Sequence, residues 1–132
     1  MGNQWTSKET LKKAEELGKT LNMVVVRAKK ETTGIILNRL LKGLLNTALD
    51  TVERGIADPE EVDKTWSAAT GMLGPFAIMD LIGLDVVLAA ENFWYKETGE
   101  PNDKPRKILI EKVNKGELGS KTGKGFYTYQ KK

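Results

Sequence analysis

Apolar positions three and four apart dominate this chain, and glycine and proline divide them into blocks. Thr6 and Glu9 have the spacing of a capping box, and Leu11, Ala14 and Leu17 then share one stripe, which predicts a short amphipathic helix ending near Gly18. Met23-Val24-Val25-Val26 differs in kind: it is β-branched, apolar on both faces and too short for a helix, as a buried parallel strand is. No second convincing strand precedes Phe126-Tyr127-Thr128-Tyr129 at the far end. A lone strand leaves its backbone donors and acceptors unpaired, so the run points to a sheet supplied from elsewhere.

After Gly34 the pattern is helical. Ile35 to Glu53 carries Leu37, Leu41, Leu44, Leu45, Ala48, Leu49 and Val52 on a stripe wide enough to need burial on more than one side, with Gly55 as the stop. Asp58-Pro59-Glu60-Glu61 restarts a helix, with Asp58 as N-cap, Pro59 at its first position and Glu61 closing a capping box. Gly74-Pro75 opens a short, strongly apolar helix through Ile82 that Gly83 stops. Asp85 is placed to cap the next, whose Val86, Val87, Ala89, Ala90, Phe93 and Trp94 are expected to pack. Pro105 opens the last helix, which buries Ile108, Leu109 and Val113 before a loop containing Gly119, Gly123 and Gly125. The predicted class is mainly α: about six helices, preceded by one helix and one strand that belong to something else.

Composition narrows the chemistry. At 132 residues and 39% hydrophobic content the chain is the size of one domain with a modest core. Without cysteine there are no disulfides or thiolate metal sites, and without histidine the commonest general base near neutral pH is missing. The polar start and the lack of any long apolar run fit a soluble, cytoplasmic protein with no membrane partner. The net charge of +3 is uneven, with nine Lys or Arg against three acids from Asn102 to Lys132. A basic tail of this kind is a solvated face, a nucleic-acid contact or a contact for an anionic cofactor; without interleaved aromatics or a recognition helix, no nucleic-acid partner is expected.

Three features invite a site. Gly119-Ser120-Lys121-Thr122-Gly123-Lys124-Gly125 looks like a Walker A loop, but Phe126 and a terminal strand stand where Lys-Ser/Thr and a helix are required, so it reads as a turn that doubles the chain back. Asp80, among Ile78, Met79, Leu81 and Ile82, lies on an exposed edge, accepts from a buried donor or takes part in catalysis. Asn38 interrupts the stripe from Ile35 to Leu45 and either ties helices together or faces a cleft.

Gly34-Ile35-Ile36-Leu37-Asn38-Arg39-Leu40-Leu41 resembles the GFIVNRLL segment that opens the C-terminal domain of the 3-hydroxyacyl-CoA dehydrogenases. The likeness continues through Glu53 to Glu60, Leu73-Gly74-Pro75-Phe76, Asp80 to Asp85 and Leu118 to Tyr127, in the same order and spacing. Residues from Thr6 to Arg27 look like the last helix and strand of the family's NAD-binding domain. The resemblance therefore implies a remnant of that domain over residues 1–33 and an all-helical substrate and dimerisation domain over residues 34–132. It implies an oxidoreductase that oxidises a 3-hydroxyacyl-CoA to the 3-ketoacyl-CoA with NAD in fatty acid metabolism, as a homodimer. In that family a His-Glu pair and a Ser come from the NAD-binding domain, and the Asn of the NRLL motif, here Asn38, positions substrate and histidine. Asn38 alone carries over, so this chain by itself is expected to bind no NAD and to be inactive without its missing NAD-binding domain. The alternative is a stand-alone module that dimerises or binds acyl-CoA without redox activity. Thr33 and Ile35 depart from the family's usual proline and aromatic at the interdomain hinge.

Overall fold

The computed structural model describes residues 5–30 and 33–130, so the first four residues of the polar start, Glu31, Thr32 and the final Lys131 and Lys132 of the basic tail lie outside the described residues. The chain forms two compact units, Met1–Leu40 and Leu41–Lys132.

In the first unit α1 spans Lys8–Thr20. Its cap is Ser7 rather than Thr6: the Ser7 hydroxyl accepts from the Thr10 N–H at 3.0 Å. The helix runs on through Gly18, and the glycine serves a contact instead of a stop, because a Cβ there would lie 2.7 Å from Val25 Cγ2. Asn22, in the left-handed region at φ 59, turns the chain after the helix. Residues 23–28 have no regular secondary structure, and Val24 is 93% exposed. The strand expected at Met23 to Val26 is therefore not formed, since a ladder needs a neighbour and no sheet exists among the described residues.

α2 (Leu37–Glu53) starts two residues later than its pattern predicts, because Gly34 and Ile35 both take positive φ, 72° and 42°. In the second unit Leu45, Ala48 and Leu49 of this helix are buried. They meet Phe76 and Met79 of α4 (Pro75–Ile82), Leu84 and Val87 of α5 (Leu84–Thr98) and Leu109 of α6 (Lys107–Asn114) in one core. α3 (Pro59–Thr70) lies against α4. Short 3-10 turns at Pro101–Asp103 and Ser120–Thr122 complete the unit. Among the described residues there are six α-helices, five of them after Gly34, and none is long and apolar enough to cross a membrane.

The inner face of α5 is not the one its apolar residues suggest. Leu84, Val87 and Glu91 are buried, whereas Val86 and Phe93 are about half exposed and Ala89 and Ala90 face outward. Positions 86, 89, 90 and 93 and positions 84, 87, 88 and 91 are both helical stripes, and the first is apolar without being core.

Local capping is replaced by carboxylates reaching in from other helices. Asp58 sits at the N-cap of α3 with extended backbone but makes no side-chain cap bond, and Asp85 does not cap α5, which begins one residue before it. Asp63 of α3 instead accepts from the Phe76 and Ala77 N–H groups, both at 2.8 Å, and so closes the first turn of α4. Glu53 at the end of α2 does the same for α6, accepting from the Lys107 N–H at 2.7 Å. An orphan donor needs an acceptor near it in space, whatever the sequence distance.

Asp80 is fully buried on α4 and accepts from the N–H groups of Phe126 and Tyr127, both at 2.9 Å, and from the Tyr129 hydroxyl at 3.0 Å. Of the readings open for Asp80, acceptance from buried donors is the one the fold realises. The glycine loop makes this closure possible: a Cβ on Gly125 would lie 2.1 Å from Asp80 Oδ1, and one on Gly119 would lie 2.2 Å from the Asp80 carbonyl oxygen. Phe126 then packs edge-to-face on Phe76, ring centroids 4.6 Å apart.

Asp80→Ala leaves two amides and a phenol without an acceptor and is expected to cost at least ~3 kcal/mol. Asp58→Ala removes no side-chain bond and is expected to stay within ~0.5 kcal/mol. Urea titration of both variants checks the contrast, and equal losses would show that the burial of Asp80 contributes nothing special.

Candidate functional site

Asn38, the second residue of α2, is exposed and its amide has no hydrogen bond among the described residues. It therefore does not tie helices together. Within the first unit it lines an open depression of about 520 Å³ with Val26, Gly34, Ile35, Ile36 and Leu37. The wall is apolar apart from that amide, which is the usual composition of a small-molecule site. The entry to α2 is strained, since a β-branched residue at φ 42° costs roughly 1–3 kcal/mol and persists only where its surroundings fix it. Chemically, Asn38 offers one acceptor and two donors and has no proton to exchange near neutral pH. It suits holding a carbonyl or hydroxyl in place, not acid or base work.

The glycine loop offers nothing comparable. Its amides are used internally: Gly119 N–H donates to the Lys124 carbonyl and Gly125 N–H to the Tyr127 carbonyl, both at 2.8 Å. Its lysines are also engaged, Lys121 with Asp85 at 2.5 Å and Lys124 with Glu117 at 2.7 Å. These contacts hold Asp85 below its ordinary pKa, chiefly through the Lys121 hydrogen bond, and pull Glu117 down to about 2 through Lys124 and then Lys112. Arg106 lies 3.4 Å from Asp50, so part of the basic tail's excess is turned inward.

A second cluster was not singled out by sequence. Glu91 is 4% exposed on the inner face of α5, and burial raises its pKa to about 7 against the opposing pull of Arg106 and Lys42. Lys42 is paired with Asp103 and lies 4.8 Å from the Trp94 ring centroid; Thr98 donates to Asp103 at 2.6 Å. The available signal was spacing: Glu91 follows Leu84 and Val87 on one helical face.

Among the described residues, the helices packed on one core and closed by Asp80 define the class, an all-helical domain. Residues 34–129 match the model of the 3-hydroxyacyl-CoA dehydrogenase C-terminal domain, and the chain belongs to that family. It is 39% identical over 132 residues to a 3-hydroxybutyryl-CoA dehydrogenase of Clostridioides difficile, covering 99% of this chain and 47% of that protein. It is 32% identical over 128 residues to the 5-formyl-3-hydroxy-2-methylpyridine 4-carboxylate 5-dehydrogenase of Mesorhizobium japonicum, covering 94% and 41%. The crystal structure of an (S)-3-hydroxybutyryl-CoA dehydrogenase from Ralstonia eutropha superposes with a TM-score of 0.90 at 35% identity, over 98% of this chain and 46% of that one. The chain thus spans about half the length of the curated relatives it matches.

Because the folded pKa of Glu91, about 7, lies above its ordinary 4.5, the native state binds this proton more tightly than the unfolded chain. The resulting stabilisation is full below 4.5 and lost as pH rises through 7. The melting temperature is expected to fall over that window, and Glu91→Gln to flatten the fall. Equal slopes for the two proteins in pH-dependent thermal melts would remove Glu91 as the cause.

Proposed function

We propose that this chain is the substrate-side and dimer-forming half of an NAD-dependent 3-hydroxyacyl-CoA dehydrogenase, which oxidises a 3-hydroxyacyl-CoA to the 3-ketoacyl-CoA in fatty acid metabolism. Residues 1–33 are read as the last piece of the NAD-binding domain and residues 34–132 as the helical domain. The observation that carries this reading is the place of Asn38, which stands in the family-matched segment, lines the apolar depression and has its amide unengaged. Its proposed role is to position the substrate oxygen and the histidine supplied by the other domain.

The chain's own residues do not fit NAD. The sequence has no Gly-X-Gly-X-X-Gly and no histidine, and the glycine loop is closed onto Asp80. The cofactor is assigned to the NAD-binding domain, and the isolated chain is proposed to be inactive.

The outward apolar stripe of α5, with Val86 and Phe93 about half exposed, supports a homodimer through this face. Phe93→Asp is expected to shift sedimentation toward monomer while leaving the helical circular dichroism unchanged; an unchanged sedimentation coefficient would place the contact elsewhere.

NAD-linked oxidation of 3-hydroxybutyryl-CoA tests the main reading, with the chain alone and then mixed with the purified NAD-binding half of the same parent. Silence alone and activity on mixing are expected. Activity alone would overturn the division of roles, and silence in both would favour a binding module without redox chemistry. In the complete enzyme, Asn38→Ala is expected to lower turnover at least ~10-fold with little change in melting temperature. A large melting loss with normal turnover would make it a structural amide.

A further inference from the structure

Among the described residues, Glu91 Oε1 and Oε2 and Arg106 Nε are buried and lack a hydrogen-bond partner of ordinary geometry. Buried polar atoms left in this way are rare and call for an explanation. Glu91 on α5 lies at the residue that opens α6: the Arg106 backbone N–H and the Arg106 charge both act on its carboxyl group, while the guanidinium itself makes no ion pair with it. Arg106 is held loosely on its other side: its Nη2 is 3.4 Å from Asp50 Oδ1 on α2, while Asp50 Oδ2 is taken by Arg54 at 2.7 Å. The remaining charges that act on Glu91 come from α2 and the Pro101–Asp103 turn. They are Lys42 and Asp103, and they are paired with each other. Arg106 is therefore the cation left able to change partner.

We propose that Glu91 and Arg106 form a proton-operated catch: with Glu91 protonated Arg106 stays on Asp50, and loss of that proton to solvent draws the Arg106 Nε–H onto the Glu91 carboxylate. The exchange moves one tie from α2 to α5. An O–H bond breaks, a hydrogen bond forms, and no other reactant is involved. A charge-assisted bond from the guanidinium offsets more of the cost of burying the carboxylate than the neutral Arg106 backbone N–H does alone. Burial places the titration near neutrality, at about 7, so the corner changes its connections where cellular pH varies.

The test is an NMR titration of the full chain with ¹³C-labelled glutamate and ¹⁵N-labelled arginine, from about pH 5 to about pH 9. The expected result is a Glu91 carboxyl midpoint in the neutral range and an Arg106 Nε–H resonance that moves downfield and exchanges more slowly with the same midpoint. In Glu91→Gln the Arg106 response is expected to vanish. A Glu91 midpoint in the ordinary carboxylate range would overturn the proposal, as would an Arg106 resonance that stays flat through the Glu91 titration or still responds in the variant. Comparison of the two wild-type resonances decides the matter even where the variant fails to fold.

Discussion

The buried carboxyl group of Asp80 is the point on which the second unit closes. Its oxygens take two backbone amides and a phenol from residues 126–129, and Asp63 takes two amides from the start of α4. Tyr127 joins the two sites, since its N–H goes to Asp80 and its hydroxyl reaches Asp63 at 2.9 Å. Both Tyr127 and Tyr129 are held above the ordinary phenol range by burial and by these carboxylates, which keeps them donors. A polar network of this kind stabilises only when every member is present, so α3, α4 and the C-terminal segment are specified together.

Much of this was legible in the residue pattern and some was not, for physical reasons. Helices come from apolar spacing and from glycine and proline, which are local signals, and α2, α3, α4 and α6 follow them to within a few residues. The caps of α4 and α6 are not local: Gly74 has no side chain to offer, and the acceptor for the Phe76 N–H in the first turn of α4 lies thirteen residues before it on another helix. Asp63 carried no sequence signal beyond its charge. Asp80 did, because a carboxyl group in an octapeptide otherwise apolar needs donors. α5 misled because it has two stripes, and an apolar stripe facing outward is indistinguishable in sequence from a core one. The Met23 to Val26 strand failed because strand formation belongs to a pair of segments, and the partner is not in this chain's described residues.

The two features that bear on function have opposite characters. Asn38 lies in a part of the chain with little burial, on a backbone entered through two left-handed residues. Glu91 lies in the packed second unit, where its charge costs free energy. The proposed positioning role needs an amide that is free to meet something else; the proposed catch needs a carboxyl group that has nowhere else to go. The Asn38 amide has no proton to exchange near neutral pH, and Glu91, whatever its pKa, is closed off from solvent at 4% exposure.

The closure on Asp80 also bears on biosynthesis. Its donors lie at residues 126, 127 and 129, whereas Asp80 itself stands on α4, which begins at Pro75. As the polypeptide grows from the ribosome, α2, α3 and α4 emerge with Asp80 unsatisfied and the Phe76 ring uncovered, and no rearrangement among them supplies the missing donors. The unit cannot complete its native core until Tyr129 has left the exit tunnel, so this closure is a late, post-helical step in the folding of the nascent chain.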